Sequence, residues 1–172
     1  MRTISIIILS LFLSTGIFAQ EIEWLTFKEA LIENQTNPKK IMVDVYTDWC
    51  GWCKVMDRET FSHPVIAEYI NENYHAVKLN AEQKDSITIG DQTFKYVAQG
   101  NRGYHELAAL LLNGKMSYPS VVFMDEKAQI IQPVQGYVKA KPFDAIIRFI
   151  GSNDYKTTSW EEYNENFSSS IE

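Results

Sequence analysis

The sequence predicts an α/β fold in which a central mixed β-sheet is flanked by helices. Two short runs, Ile41 to Tyr46 and Ala76 to Leu79, are almost continuously apolar and rich in β-branched residues, the pattern of strands buried on both faces. Segments of helical periodicity lie before the first and between the two. Toward the C-terminal end, Ser120 to Met124 and Ile130 to Val134 read as an antiparallel pair, which makes the sheet mixed.

Taken in order, Thr26-Phe27-Lys28-Glu29 has the form of a capping box, and Trp24, Phe27, Leu31 and Ile32 follow at roughly helical spacing. A short helix is expected over 26–35, ended by Asn37-Pro38. After the strand at 41–46, the pattern turns helical from Cys53 to Phe61. Ser62-His63-Pro64 interrupts it with a cap and a first-turn proline, and a helix resumes to Asn73. The second central strand is 76–79. Ile87-Thr88-Ile89, Gly90-Asp91 and Gln92 to Val97 fit a hairpin with a two-residue turn. Gln99 to Gly103 reads as a loop before a helix over Tyr104–Leu112, closed by Asn113-Gly114. A last helix, Pro142 to Ile150, puts Phe143, Ile146, Ile147 and Ile150 on one face. Trp160, Tyr163 and Phe167 give the polar tail a short helix that docks or frays.

Composition narrows the function classes. The chain has 172 residues, 45% of them hydrophobic and 22% charged, which suits one globular domain with a core of its own. A net charge of -6 argues against nucleic-acid binding, which needs a basic face. Two cysteines are too few for a disulfide-stapled scaffold. Met1-Arg2-Thr3 followed by an apolar stretch and Ala19 has the form of a signal peptide. Ser10, Ser14, Thr15 and Gly16 make that stretch a poor membrane span, for which about 20 apolar residues are needed. The expected organisation is a signal peptide over 1–19, one domain over 20–151 and a polar tail with a short helix over 152–172. Cleavage near Ala19 would deliver the protein to an oxidising space, periplasmic or secreted.

The chemistry gathers at Trp49-Cys50-Gly51-Trp52-Cys53-Lys54, where a buried strand ends and a helix begins. Free backbone N–H groups and the helix dipole favour negative charge there, so the first thiol is pushed toward thiolate, the nucleophile of disulfide exchange. A spacing of three sets the second sulfur on the same face, where it can attack a mixed disulfide. Cys50 is the expected attacker, the more exposed of the two, and Cys53 the resolving cysteine. A zinc site would need two of His63, His75 and His105, which lie on separate elements at no usual spacing. A purely structural disulfide closing so short a loop would add little stability. No metal is therefore expected.

Asp44 is the second signal. An acid within a buried strand is costly unless neutral or paired. It lies six residues before Cys50, and Lys78 in the other central strand is an equally odd charge that can partner it. Asp44 is expected to have a raised pKa and to carry protons to and from Cys53.

The segment from Val43 to Lys54 resembles the active-site segment of the thioredoxin superfamily, and Lys78-Leu79-Asn80, Tyr118-Pro119-Ser120 and Gly136 agree with it. The resemblance implies a thioredoxin-like fold, with Asp44 and Lys78 behind the dithiol and Pro119 in cis against it. It also implies a Tyr118 backbone free to pair with a substrate strand. Asp48-Trp49-Cys50 and Glu59 to Pro64 look like the exported branch that includes the C-terminal domain of the DsbD thiol:disulfide interchange proteins. Two departures stand out. Trp52 replaces the proline common between the cysteines, and residues 85–116 form a longer connection, an inserted hairpin and helix. Trp49, Gly51, Trp52 and Tyr118 are the expected substrate-contacting residues.

The expected function is an exported thiol–disulfide oxidoreductase, a reductase by resemblance, with a redox-active Cys50–Cys53 pair and no cofactor. Its expected partners are disulfide-bearing proteins and an upstream thiol donor, membrane-bound donors included. A monomer that binds no nucleic acid is expected. An oxidase or isomerase is the rival within the enzyme class, and a chaperone-like module using the tryptophan face and the 85–116 insertion is the rival outside it.

Overall fold

The computed structural model describes residues 20–172, so the expected signal peptide lies outside the described residues. The central sheet has five strands: β1 (Trp24–Leu25), β2 (Lys40–Tyr46), β3 (Tyr74–Asn80), β8 (Ser120–Met124) and β9 (Ile130–Gln135), in the order β1-β3-β2-β8-β9. β2 runs parallel to β3 and antiparallel to β8, so the mixed sheet is as expected. β1, only two residues long, is the one strand of this sheet that the sequence did not suggest. β9 forms the other edge, carries Pro133, and shifts register against β8 between Phe123 and Met124.

Alternation along β2 divides the core into two layers. Ile41, Val43 and Val45 face a cluster with Phe27 and Ala30 of α1 (Phe27–Thr36) and with Leu107 and Leu111 of α4 (Glu106–Leu111). Met42 faces the opposite cluster, with Met56 of α2 (Gly51–Met56), Ile66 and Ile70 of α3 (Pro64–Asn73), and Phe143 and Ile147 of α5 (Ala140–Gly151). Each buried Val, Leu, Ile, Phe or Met among them contributes about 1.5–3 kcal/mol. Thr26 and Glu29 form the capping box reciprocally at the start of α1. α5 begins before its Pro142, which sits in the first turn where a missing N–H costs nothing.

The connection between β3 and β8 differs from expectation. β4 (Ile87–Ile89) and β5 (Gln92–Phe94) make the expected hairpin about Gly90-Asp91. A second hairpin follows, β6 (Tyr96–Gln99) and β7 (Arg102–His105), turning at Gly100-Asn101. The segment read as a loop and helix start is thus β7, and α4 begins only at Glu106, capped by His105. Gly100 at φ 60° supplies the left-handed turn residue.

After α5 the chain docks. A short α6 (Trp160–Asn166) packs Tyr163 against Phe149, with ring centroids 4.8 Å apart. Ser169 donates to the buried Asp144 carboxylate at 2.6 Å, and Ile171 is buried in the α3–α5 layer. Among the described residues no helix is long and apolar enough to cross a membrane.

Candidate functional site

β2 ends at Tyr46, and Thr47-Asp48-Trp49 turns the chain into α2. The Cys50 N–H donates to the Thr47 carbonyl at 3.1 Å, fixing the start of the helix. Cys50 is the N-cap of α2 and is disulfide-bonded to Cys53, with Cα atoms 5.3 Å apart. The Cys53 N–H donates to Cys50 Sγ at 3.0 Å. The same N–H would face a thiolate after reduction, the interaction that lowers a cysteine pKa at a helix start.

Cys50 and Cys53 are 4% and 3% exposed, so in the disulfide form Cys50 is hardly more accessible than its partner. The bond draws Cys50 Sγ over the first turn, against the Cys53 amide. Gly51 is exposed, and a Cβ there would meet open space, so packing does not demand glycine.

On the α2 side of the sheet lies a three-membered charge cluster. Strand alternation turns Asp44 toward the same layer as Met42, the layer that holds α2, and turns Lys78 to the same side as Ala76. Asp44 and Lys78 are direct partners in the β2–β3 register, and Lys78 Nζ donates to Asp44 Oδ2 at 2.6 Å. The same ammonium bonds Asp57, one helical turn beyond Cys53. It also lies over the rings of Trp24, Tyr46 and Phe61, at 4.7, 5.2 and 5.4 Å from their centroids.

Burial raises the Asp44 pKa to about 6, with the Lys78 charge opposing and the Asp57 charge assisting. Its Oδ1 is buried with no hydrogen-bond partner among the described residues, leaving one oxygen free to hold a proton. Burial works against the Lys78 charge, but the Asp44 charge and hydrogen bonds to both carboxylates outweigh it and hold Lys78 above its ordinary value.

Two aromatic walls flank the disulfide. Trp52, 61% exposed, stacks on Tyr137 with centroids 5.4 Å apart, and the Tyr137 hydroxyl donates to Glu59 at 2.8 Å. Trp49, 53% exposed, meets the Tyr118 ring edge-on at 5.9 Å and donates its indole N–H to Glu82 at 3.0 Å. Burial and the Glu82 charge push the Tyr118 hydroxyl up to about 12. The Tyr118–Pro119 peptide is cis, and the Pro119 carbonyl accepts from the Gly136 N–H at 2.8 Å.

Cys50, Cys53, Asp44, Lys78, Trp49, Gly51, Trp52, Tyr118 and Pro119 thus occupy β2, β3, the head of α2 and the loop before β8. The histidines do other work: His75 bonds the Asn37 carbonyl at 2.8 Å, and His63 and His105 precede helices. Four participants were not anticipated: Asp57, Tyr137, Glu82 and Arg102. The spacing of Asp57 from Cys53 was a usable signal. Arg102, whose guanidinium carbon lies 4.8 Å from the Trp49 ring centroid, had none, because it reaches the site only through the unforeseen second hairpin.

Comparison with known proteins places the chain in a family and a fold. The family model for thioredoxin-like DsbH, described as a protein of unknown function, DUF255, matches residues 9–169. An uncharacterized protein of Caenorhabditis elegans is 29% identical over 84 residues, covering 48% of this chain and 12% of that protein. The thiol:disulfide interchange protein DsbD of Escherichia coli is 27% identical over 122 residues, covering 70% of this chain and 18% of its own length. The chain therefore spans less than a fifth of these curated relatives. Among solved structures, a DsbH oxidoreductase aligns with a TM-score of 0.56 and 20% identity, covering 81% of this chain and 91% of the other. A thioredoxin from Thermus thermophilus aligns with a TM-score of 0.57 and 18% identity, covering 76% and 88%. These structural likenesses establish the thioredoxin fold.

Proposed function

The chain belongs to the thioredoxin-like DsbH family, and from that premise we propose that it is an exported thiol–disulfide oxidoreductase that reduces protein disulfides. The observation that carries this reading is the Cys50–Cys53 disulfide at the head of α2, with the Cys53 amide on Cys50 Sγ. A bond closing so short a loop does little for stability, so exchange is its better use.

In the reduced protein, Cys50 thiolate attacks one sulfur of a substrate disulfide. A Cys50–substrate bond forms and the other substrate sulfur leaves as thiolate. Cys53, deprotonated, then attacks Cys50 Sγ, forming the Cys50–Cys53 disulfide and expelling the second substrate thiolate. Two electrons pass to the substrate, whose two thiolates take up two protons at neutral pH. Asp44, buried and with one free oxygen, accepts the Cys53 proton as that sulfur attacks, while Lys78 holds the other oxygen. An upstream dithiol restores the reduced state by the same exchange in reverse. Trp49, Gly51, Trp52, Tyr118 and Pro119 form the surface against which the substrate lies. The leader over 1–19 is proposed to be removed near Ala19, with export placing the dithiol outside the cytoplasm.

The test is trapping. Cys53→Ser should accumulate a mixed disulfide through Cys50 with client proteins, and Cys50→Ser should form none. Full activity of Cys50→Ser would overturn the enzyme reading in favour of a binding module. Direction is read from the equilibrium with glutathione, where about 30 mV corresponds to about 1.4 kcal/mol for this two-electron couple. A strongly oxidising potential would replace reductase with oxidase or isomerase.

A further inference from the structure

The inserted second hairpin brings a cation to the mouth of the site. Arg102 opens β7, and its guanidinium carbon lies 4.8 Å from the centroid of the Trp49 ring. Trp49 directly precedes Cys50 and is itself held by Glu82 on its N–H edge and by Tyr118 on another. The ring is thus a fixed platform that sets where the guanidinium sits.

The state of that guanidinium distinguishes it. Arg58 and Arg148 are each paired with a carboxylate, on Glu59 and Asp144. Arg102 is exposed, lies over the Trp49 ring, and has no carboxylate partner among the described residues. With no carboxylate on it, the planar fork of N–H donors remains available to a ligand. Such a fork matches a carboxylate bidentately. In a chain of net charge -6, Arg102 thus keeps an unpaired positive charge on the Trp49 wall, where Glu82 is taken up by the indole N–H.

We propose that Arg102, stacked on Trp49, selects disulfide substrates that carry a carboxylate side chain one or two residues from the cysteine attacked by Cys50. This deepens the oxidoreductase reading and rests on it. The occupant is an extended polypeptide with Asp or Glu on the Trp49 side. Arg102 touches that carboxylate, so it is a specificity residue and takes no part in the electron transfer.

The test uses two cyclic disulfide peptides that differ only in Glu or Gln beside each cysteine. The reduced full-length protein is mixed with each at low salt, and peptide thiol release gives a second-order rate constant. The readout is the Glu-to-Gln rate ratio, compared among wild type, Arg102→Gln and Arg102→Glu. A partly exposed ion pair predicts that Arg102→Gln lowers the ratio about threefold to fivefold. Arg102→Glu should lower it further, and added salt should shrink the wild-type preference. A role confined to bracing Trp49 would change both rates together and leave the ratio alone. An unchanged ratio across the three proteins overturns the proposal. If wild type reduces neither peptide, the oxidoreductase reading falls and the Arg102 proposal with it.

Discussion

Replacing Asp44 with asparagine should stabilise the oxidised protein, and by an amount that depends on pH in a defined way. The Asp44 carboxyl has its pKa raised from 3.8 to about 6, chiefly by burial. Between those values the folded protein keeps a proton that the unfolded chain has released. The folded state therefore binds more protons, and stability falls as pH rises through this window. At about 1.4 kcal/mol per pH unit, the penalty is about 3 kcal/mol above pH 7 and well under 1 kcal/mol at pH 4. The substituted amide has no charge to bury and can still accept from Lys78 through its oxygen, while Lys78 keeps Asp57. Asp44→Asn should thus gain about 2–3 kcal/mol at pH 7.5 and little at pH 4. Urea unfolding of both oxidised proteins at the two pH values measures this, because the other carboxyls cancel in the difference. Equal effects at pH 4 and pH 7.5, or a loss at pH 7.5, would refute the placement of a high-pKa carboxyl at this position.

Three other perturbations have defined outcomes. The Asp57 charge helps to raise the Asp44 pKa, so Asp57→Asn should lower the Asp44 carboxyl midpoint below about 6 in an NMR titration of the oxidised protein. Deleting residues 168–172 removes the Ser169 hydrogen bond to Asp144 and the buried Ile171, and should cost about 3 kcal/mol in denaturant unfolding. At Gly103, an added Cβ would collide with the Tyr96 ring and the Val97 carbonyl of the facing strand. Gly103→Ala should then cost about 1–3 kcal/mol by overpacking and, by displacing Arg102 from Trp49, change the tryptophan fluorescence of the oxidised protein.

What could be read in advance was set by how locally each feature is encoded. β2 and β3 announce themselves because both their faces are buried, which forces an unbroken apolar run and makes Asp44 and Lys78 conspicuous within it. The dithiol is legible for a similar reason: the residue types, spacing and strand-to-helix junction all lie within one short segment. β1 is two residues long and owes its strand state to pairing with Ala76 and Val77, which no local pattern reveals. The β6–β7 hairpin is built from Ala98, Gln99, Arg102 and Gly103, poor strand formers individually, and its Gly100-Asn101 turn was the one clue to a second reversal. Tyr104 and His105 precede an Ala- and Leu-rich stretch, so helix propensity overran the strand. Asp57 was legible in its spacing from Cys53 but not in its role. It lies in a five-residue π-helical turn, Asp57–Phe61, that continues α2, and its importance comes from a lysine on another strand.

The edges of the central sheet bear on how such a protein survives its own proposed work. An exposed strand edge is a template for any extended chain, and a protein meant to meet loosely folded partners would meet many of them. Here one edge is β1, too short to recruit a partner along any length. The other is β9, where Pro133 offers no amide hydrogen and the register breaks near Met124. Neither edge presents the long, flat, regular ladder from which runaway self-association grows. On the proposed function, productive contact with another chain falls instead at the aromatic mouth around Cys50, and such an encounter ends when the sulfur bond is resolved.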